Sequence, residues 1–339
     1  MMGMTKEKTF NGVPLSVLDL APVTEGSQVR DAFKNSVDLA QHVEKWGFKR
    51  FWLAEHHNMP GIASSATSVL MGHIAEKTNH IRIGAGGVML PNHAPLVVAE
   101  QFGTLETLYP KRIDLGLGRA PGTDQLTAIA LRRTLNSHVN DFPKQVEELQ
   151  GYFSHNPSAT VRAIPGEGLQ IPIWLIGSSD YSARLAAEMG LPFSFASHFS
   201  AEYTLPALHI YHQHFQPSDV LTEPYTMVAV NIIAAETTKK AQFLATSMQQ
   251  QYLSLQRGES TKLQPPIDNI EEKWSYHERV TMEKVLQSDA TIVGNPSEVE
   301  EKLSRFIEQT KANEVIVHSQ IFNHEDRLKS YKIVADMMA

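Results

Sequence analysis

The clearest indication of the fold class lies in the stretch of residues 81–119, IRIGAGGVMLPNHAPLVVAEQFGTLETLYPKRIDLGLGR. Its apolar run Ile81–Gly87 is typical of a buried strand, and the pattern over Ala94–Leu108 predicts a helix. Pro110 cannot continue that helix, and a second buried strand is predicted over Arg112–Gly118. A strand, a helix and another strand in this order indicate a βαβ unit with parallel strands.

The same unit repeats on both sides of this stretch. Further strands are predicted over Pro14–Leu20, Arg50–Ala54, Ile171–Ile176, Phe193–Ala196, Tyr225–Ala235 and Glu314–Ser319. Further helices are predicted over Arg30–Trp46, Ser65–Lys77, Phe142–Tyr152, Tyr181–Met189, Ser200–Phe215 and Glu325–Met337, and from Thr238 onward. Eight strands, each followed by a helix, predict an α/β fold of the closed (β/α)8 TIM-barrel type. A doubly wound open sheet is the competing architecture, and the short strands and their number favour the barrel.

Two segments interrupt the repeat. Residues 119–141 are predicted to form a long loop after the fourth strand. Residues from about 245 to 295, which include Pro265–Pro266, are too long for one helix and predict a partly helical insertion after the seventh strand, as a lid or an interface. The sequence contains no domain linker, so residues 1–339 are predicted to form a single domain in which the polar residues 1–11 are a flexible tail.

Composition excludes several classes of function. The 339 residues include 30 Lys and Arg against 37 Asp and Glu, a net charge of −7, so the basic excess needed to bind nucleic acid is missing. Cysteine is absent, which excludes disulfides, thiolate zinc sites, iron–sulfur clusters and cysteine nucleophiles. No apolar run of about 18 residues predicts a membrane span, and residues 1–11 lack the apolar core of a signal peptide, so a cytoplasmic location is expected.

Candidate site residues are those that follow strands, because the active sites of TIM barrels lie at the carboxyl ends of their strands. The second strand runs into Glu55, His56 and His57. Adjacent strand residues point to opposite faces, which disfavours one metal ion held by all three. Solvated loop histidines are another interpretation. The favoured one is a single histidine that faces the pocket as an acid, a base or a hydrogen-bond donor.

The third and fourth strands end in residues that suit a ligand. Gly86 and Gly87 close the third strand, where a flat ligand lying on the backbone would explain two adjacent glycines; a tight turn is the alternative. The pattern is not G-x-G-x-x-G, so no dinucleotide site is predicted. Arg119 follows the fourth strand, and its guanidinium suits a phosphate or a carboxylate; a structural salt bridge is the alternative.

The fifth strand is followed by Gly177-Ser178-Ser179, directly before a predicted helix. Free N–H groups at the start of a helix, with hydroxyls beside them, bind phosphate, whereas ordinary N-capping by Ser179 or Asp180 is the alternative. Together the four strand ends predict one pocket, which fits a phosphorylated, flat, aromatic cofactor better than a metal ion.

With these strand ends the sequence resembles the bacterial luciferase-like, flavin-dependent monooxygenases, from Pro14 to about Ala335. The resemblance rests on four stretches in a fixed order, residues 52–58, 81–93, 111–119 and 177–187, and is greatest to the single-chain, alkanal-monooxygenase-like branch. It implies that reduced FMN binds in the barrel mouth, captures O2 as a flavin C4a-hydroperoxide and oxidises a small organic substrate. A separate flavin reductase would supply the reduced flavin, and a homodimer is expected.

The resemblance also implies roles for individual residues. His56 matches the catalytic histidine of the family, and Arg119 matches the arginine that contacts the flavin phosphate. Gly86 and Gly87 match a pair joined by a cis peptide beneath the flavin ring. The remaining cofactor-binding positions that the resemblance implies are Gly177, Ser178, Ser179 and Tyr181 in the phosphate-binding turn, with Gly177 contributing only its backbone, and His93 and Glu100 near the flavin or its supporting shell.

Three alternatives to this function stay open. A related barrel could use the deazaflavin F420 for hydride transfer, and the Gly-Ser-Ser turn does not separate the two cofactors. A non-catalytic flavin-binding protein could share the fold. A metal hydrolase barrel would use Glu55, His56, His57 and His93, although a metal site is not the preferred prediction.

Overall fold

Ten strands form one sheet in residues 7–132 and 141–339, which are the part of the chain that this computed structural model describes. The strands are β1 (Thr9–Phe10), β2 (Val13–Asp19), β3 (Arg50–Leu53), β4 (Arg82–Met89), β5 (Ile113–Gly118), β6 (Ile173–Gly177), β7 (Phe193–Phe195), β8 (Thr226–Ala234), β9 (Thr291–Gly294) and β10 (Glu314–His318). Parallel pairing runs from β2 through β3 to β8 and on to β10, which pairs with β2 again. These eight strands form a closed barrel, which confirms the predicted (β/α)8 fold.

Helices follow the strands and cover the outside of the barrel. They are α1 (Val29–Trp46), α2 (Thr67–Lys77), α3 (Pro95–Leu108), α4 (Gln125–Arg132), α5 (Phe142–Phe153), α6 (Asp180–Glu188), α7 (Thr204–His214), α8 (Thr238–Gln256), α9 (Ile270–Lys273), α10 (Tyr276–Leu286), α11 (Pro296–Thr310) and α12 (His324–Asp336). Gly47 ends α1 at φ 94°, a left-handed conformation that glycine adopts without strain. Within the described residues, no helix combines the length and the apolar character that crossing a membrane requires.

The two faces of the barrel strands bury different sets of side chains, because successive residues of a strand point to opposite sides. Along β10, Val315 and Val317 pack in the main core between the strands and the helices. Ile316, between them, packs inside the barrel with Trp52 and Trp174. Both faces are apolar, which explains why these parallel strands read as continuous apolar runs in the sequence.

The amino end of the barrel interior is closed by buried charges. Arg50 Nη1 lies 2.8 Å from Asp114 Oδ2, and Arg50 Nε lies 2.9 Å from Glu314 Oε1. Arg82 adds a second guanidinium to Asp114, and Trp52 Nε1 donates to the same carboxylate at 3.2 Å. Burial alone would raise the pKa of Asp114, but the charges of Arg50 and Arg82 outweigh burial and lower it. The carboxylate is therefore held as an ion at the end of the barrel opposite the strand ends that carry the candidate site.

Three elements differ from the sequence prediction. The predicted loop 119–141 contains the helix α4, and residues 133–140 of that loop lie outside the described residues. In the predicted tail, residues 1–6 also lie outside them, whereas Thr9–Phe10 form β1, antiparallel to β2, with Phe10 buried. Between β8 and β10, β9 pairs in parallel with Asn231–Ala234, and the helices α8 to α11 flank it. The pairing of β9 depends on a partner distant in sequence, and β1 is only two residues long, so local patterns predicted neither strand.

Candidate active site

A cavity opens at the carboxyl ends of the barrel strands. It holds about 1120 Å³ of empty space, a volume that includes the open solvent at its mouth. Every barrel strand or the loop that follows it contributes to the lining. Apolar side chains from β2, β3, β8 and β10 form much of the wall, among them Leu18, Trp52, Ala229 and Ile316. Among the described residues of the lining, Arg119 is the side chain that carries a formal charge at neutral pH.

The cavity brings together most of the residues that the sequence singled out. Its lining includes His56, Gly86, Arg119, Gly177, Ser178, Ser179 and Tyr181. Gly87, His93 and Glu100 lie outside the described lining. His93 is connected to the site through its hydrogen bond to Glu55. Glu100 lies on α3, where its backbone carbonyl accepts a hydrogen bond from Thr104 Oγ1 at 2.7 Å.

Arg119 and the turn after β6 face the same space at the mouth. The Arg119 guanidinium lies over the Tyr181 ring, 3.9 Å from its centroid, and has no carboxylate partner among the described residues. A structural salt bridge, the alternative interpretation of Arg119, is therefore not what the described residues show. Ser178 and Ser179 are exposed, and the Ser179 side chain does not cap α6. An unpaired guanidinium beside free hydroxyls and a helix start has the chemistry of a phosphate site.

Glycines let backbone segments approach closely at this end of the barrel. The peptide bond between Gly86 and Gly87 is cis, as the resemblance implied. A Cβ atom on Gly87 would lie 2.6 Å from the carbonyl oxygen of Gly116 on the neighbouring strand. A Cβ atom on Gly177 would lie 2.1 Å from Ser182 Oγ, so position 177 has no room for a side chain.

Glu55 joins the loop after β3 to the loop after β4. Its Oε1 atom accepts hydrogen bonds from His57 Nε2 and His93 Nε2, each at 2.8 Å, and its Oε2 accepts from the Met89 backbone N–H at 3.2 Å. Burial alone would raise the pKa of Glu55, but the hydrogen bonds from His93, His57 and Met89 outweigh burial and lower it. The carboxylate thus links Glu55 and His57, which flank His56, to Met89 and His93, which follow Gly86.

The same three side chains bear on the metal alternative. Glu55, His57 and His93 offer ligand atoms within 4.8 Å of one another, a spacing that can hold a metal ion. The 2.8 Å contacts are also ordinary hydrogen bonds that satisfy all three groups without an ion. His56 is not part of this cluster, so the four-residue metal set of the hydrolase alternative is reduced to three.

His56 lies apart from Glu55, in the cavity lining. Its Nδ1 atom is buried without a hydrogen-bond partner among the described residues. Burial lowers the pKa of His56, and the Gly122 carbonyl and the Glu55 carboxylate offset burial only in part. A neutral imidazole at neutral pH can accept a proton or donate a hydrogen bond, which are the properties expected of an acid–base group.

Sequence reasoning missed two further histidines at strand ends. His198 follows β7 and lines the cavity, and His318 ends β10 with its ring centroid 6.0 Å from that of His198. Both follow directly from the rule that site residues lie after barrel strands, had it been applied to the sixth and eighth predicted strands. Ser194, on β7, also lines the cavity.

Comparisons with known proteins agree with this geometry. The family model described as luciferase-like monooxygenase matches residues 13–314. A protein of Escherichia coli (strain K12) named luciferase-like monooxygenase is 52% identical over 330 residues, covering 97% of this chain and 98% of its own. The crystal structure of apo-MsnO8 is similar with a TM-score of 0.86 and 32% identity, covering 96% of this chain and 98% of its own.

A more distant structure shares the fold. The oxygenating constituent of 3,6-diketocamphane monooxygenase from Pseudomonas putida, crystallised in complex with FMN, has a TM-score of 0.71 to this chain at 16% identity. It covers 96% of this chain and 97% of its own.

Proposed function

The chain belongs to the luciferase-like monooxygenase family and is an oxidoreductase of that family, and from this we propose that it is a flavin-dependent monooxygenase. In this proposal it uses reduced FMN and O2 to oxidise a small organic substrate. The observation that carries the proposal is the unpaired Arg119 guanidinium, stacked on Tyr181 beside the Ser178–Ser179 turn in a cavity that also holds His56.

The described residues fit FMN in two respects. Arg119, Ser178 and Ser179 would hold the phosphate, because a guanidinium fork and free hydroxyls match its oxygens. The backbone at Gly86 would lie against the flat ring system. A side chain on either glycine would meet neighbouring protein atoms, Leu18 at Gly86 and the Gly116 carbonyl at Gly87, so both positions require glycine. Bound reduced FMN would supply the electrons that activate O2.

The chain's own residues would move a proton, exclude water and position the reacting groups. His56, neutral at neutral pH, would hold or move a proton next to the reacting atoms. The apolar walls would exclude water from them. Glu55 would hold the loop that carries His56 against the end of β4, which carries Gly86 and Gly87. His93 would act through Glu55 rather than on the flavin. Glu100 stays a prediction.

The test is an anaerobic titration of the apoprotein with reduced FMN, with oxidised FMN and F420 as parallel ligands. We expect reduced FMN to bind most tightly and, once O2 is admitted, to reoxidise at a rate different from that of free reduced FMN. Preference for F420 would replace the proposal with hydride transfer by the same fold. Absence of binding to all three would contradict both proposals.

One variant and a metal analysis complete this test. His56→Ala should bind reduced FMN as the wild type does and lose turnover, whereas unaltered turnover would remove His56 from catalysis. A near-stoichiometric metal ion, in protein purified without chelators or nickel resin, would instead favour a hydrolase that uses Glu55, His57 and His93. We also propose a homodimer that receives reduced flavin from a separate reductase; sedimentation at the monomer mass of 37.8 kDa would contradict the dimer.

A further inference from the structure

His198 is a polar side chain in an apolar part of the cavity. It follows β7, its ring lies 4.1 Å from the Phe199 ring, and the neighbouring wall from β8 and β10 is formed by Ala229 and Ile316. These two residues are register partners in the sheet, so they form one continuous surface. The predicted phosphate site lies elsewhere in the same cavity, at the ends of β5 and β6.

The ring nitrogens of His198 are not hydrogen bonded to any of the described residues. Its side chain has no hydrogen-bond partner among the described residues, and its Nδ1 atom is buried. Buried N–H groups without a partner are rarer than buried acceptors without one. The proton of the neutral ring is therefore placed on Nε2, the remaining polar atom of this side chain, and Nε2–H is left to donate to whatever occupies the cavity.

The surroundings of His198 hold it neutral. Burial lowers the pKa of His198 to about 3, and the neighbouring imidazoles of His318 and His56 add to the effect. The charges of Asp19 and Arg327, an ion pair 3.0 Å apart, act on the neighbouring His318. His318 itself is fixed by a contact of 3.2 Å from its Nδ1 to the Leu18 carbonyl oxygen.

We propose that His198 determines substrate specificity: its Nε2–H donates a hydrogen bond to an uncharged acceptor atom of the organic substrate. The rest of the substrate packs on the apolar wall that includes Leu18, Ala229 and Ile316. This inference rests on the proposed function, since it assigns the β5–β6 side of the cavity to the cofactor and the β7–β10 side to the substrate. The substrate class is a neutral, largely apolar molecule with a hydrogen-bond acceptor.

Four ring compounds of similar size test this class. Cyclohexanone has a neutral acceptor, methylenecyclohexane has the same shape without one, cyclohexanecarboxylate is an anion and cyclohexylammonium is a cation. Dissociation constants are measured by ligand-observed NMR, with and without saturating FMN, in the wild type and in His198→Phe, which keeps a ring and removes both nitrogens. His198→Gln is the rescue variant, because its amide N–H can replace Nε2–H.

The wild type should bind cyclohexanone most tightly of the four. His198→Phe should weaken cyclohexanone about three- to tenfold, the effect of one neutral hydrogen bond, and leave methylenecyclohexane unchanged. His198→Gln should restore most of the loss. His209→Phe, at an exposed histidine on α7, is the matched control and should change neither constant.

The outcomes separate the two proposals. Equal loss of both neutral ligands in His198→Phe, no loss of either, binding of the carboxylate or the ammonium as tight as that of cyclohexanone, or no binding of any probe would each overturn the role of His198. Failure of FMN to bind, with the cyclohexanone pattern intact in the FMN-free protein, would contradict the proposed cofactor and leave the role of His198 standing.

Discussion

The guanidinium of Arg119 stacks on the ring of Tyr181, 3.9 Å from its centroid, and so connects the end of β5 to the start of α6. The tyrosine holds the arginine side chain flat at the mouth of the cavity and leaves its N–H groups without a carboxylate among the described residues. A preorganised cation loses less conformational entropy on binding an anion than a mobile one does.

Arg119→Ala should therefore weaken the binding of reduced FMN about 10- to 100-fold, because a charge-assisted, forked contact contributes roughly 1.5–3 kcal/mol. Fluorescence or calorimetric titration under anaerobic conditions measures the change. Arg184→Ala is the matched control, since Arg184 is an exposed arginine on the neighbouring helix α6. An unchanged affinity in Arg119→Ala would exclude Arg119 from the phosphate site.

Two glycine substitutions should have opposite effects on stability. Gly87→Ala places a Cβ atom 2.6 Å from the Gly116 carbonyl oxygen, and the displaced backbone should cost about 1–3 kcal/mol of unfolding free energy. Gly151→Ala, within α5, meets nothing within 4 Å and should stabilise the protein by up to about 1 kcal/mol. Urea denaturation of both variants measures the difference, and effects of the same sign would contradict it.

Glu55→Gln should destabilise the protein by about 1–3 kcal/mol, because an amide cannot accept the three hydrogen bonds that the carboxylate accepts and leaves one buried donor unpaired. Chemical denaturation at pH 7 measures the loss. Glu300→Gln, at an exposed glutamate of α11, should have no measurable effect. Equal stability of the two variants would show that the Glu55 contacts do not hold the two loops together.

The free energy of unfolding should decrease as the pH is lowered, in part because of His198. Its pKa is about 3 in the folded protein and about 6.5 in an unfolded chain, so below pH 6.5 the unfolded state binds a proton that the folded state does not. Between pH 7 and pH 5 the wild type should lose about 2 kcal/mol more than His198→Asn.

Denaturant titrations of the apoprotein at both pH values measure this difference. His209→Asn, which removes an exposed histidine, should behave as the wild type does. If His198→Asn and the wild type lose the same stability on acidification, His198 is not held neutral by the fold.

The barrel could be predicted from the sequence because both faces of its strands are buried. Runs such as Ile171–Ile176 are apolar throughout, and turn residues separate them from the helices. β9 was missed because four residues, Thr291–Gly294, carry little pattern in a mostly helical segment. The sequence after it, Asn295-Pro296 with Glu298, is a helix-start signal that would have marked its end.

The site could be predicted best where a residue lies at or shortly after the end of a strand. Arg119 and the Gly177–Ser179 turn satisfy that condition, and the cavity lining includes them. The bond between Glu55 and His93 depends on how two loops 38 positions apart fold against each other, which no local pattern encodes. Arg119 contacts the Tyr181 ring instead of a carboxylate, and this contact likewise depends on side-chain packing.

The pairing of β2 with β10 bears on how the protein is made. Ser16 and Glu314, hydrogen bonded across these strands, are 298 positions apart, so a nascent chain has no partner for this side of β2 until translation reaches residue 314. Until then β2 and β8 present open strand edges, which other chains can pair with. A chain whose translation stops before β10 therefore lacks one wall of the cavity and keeps exposed strand edges, which makes it a target for chaperones and proteases.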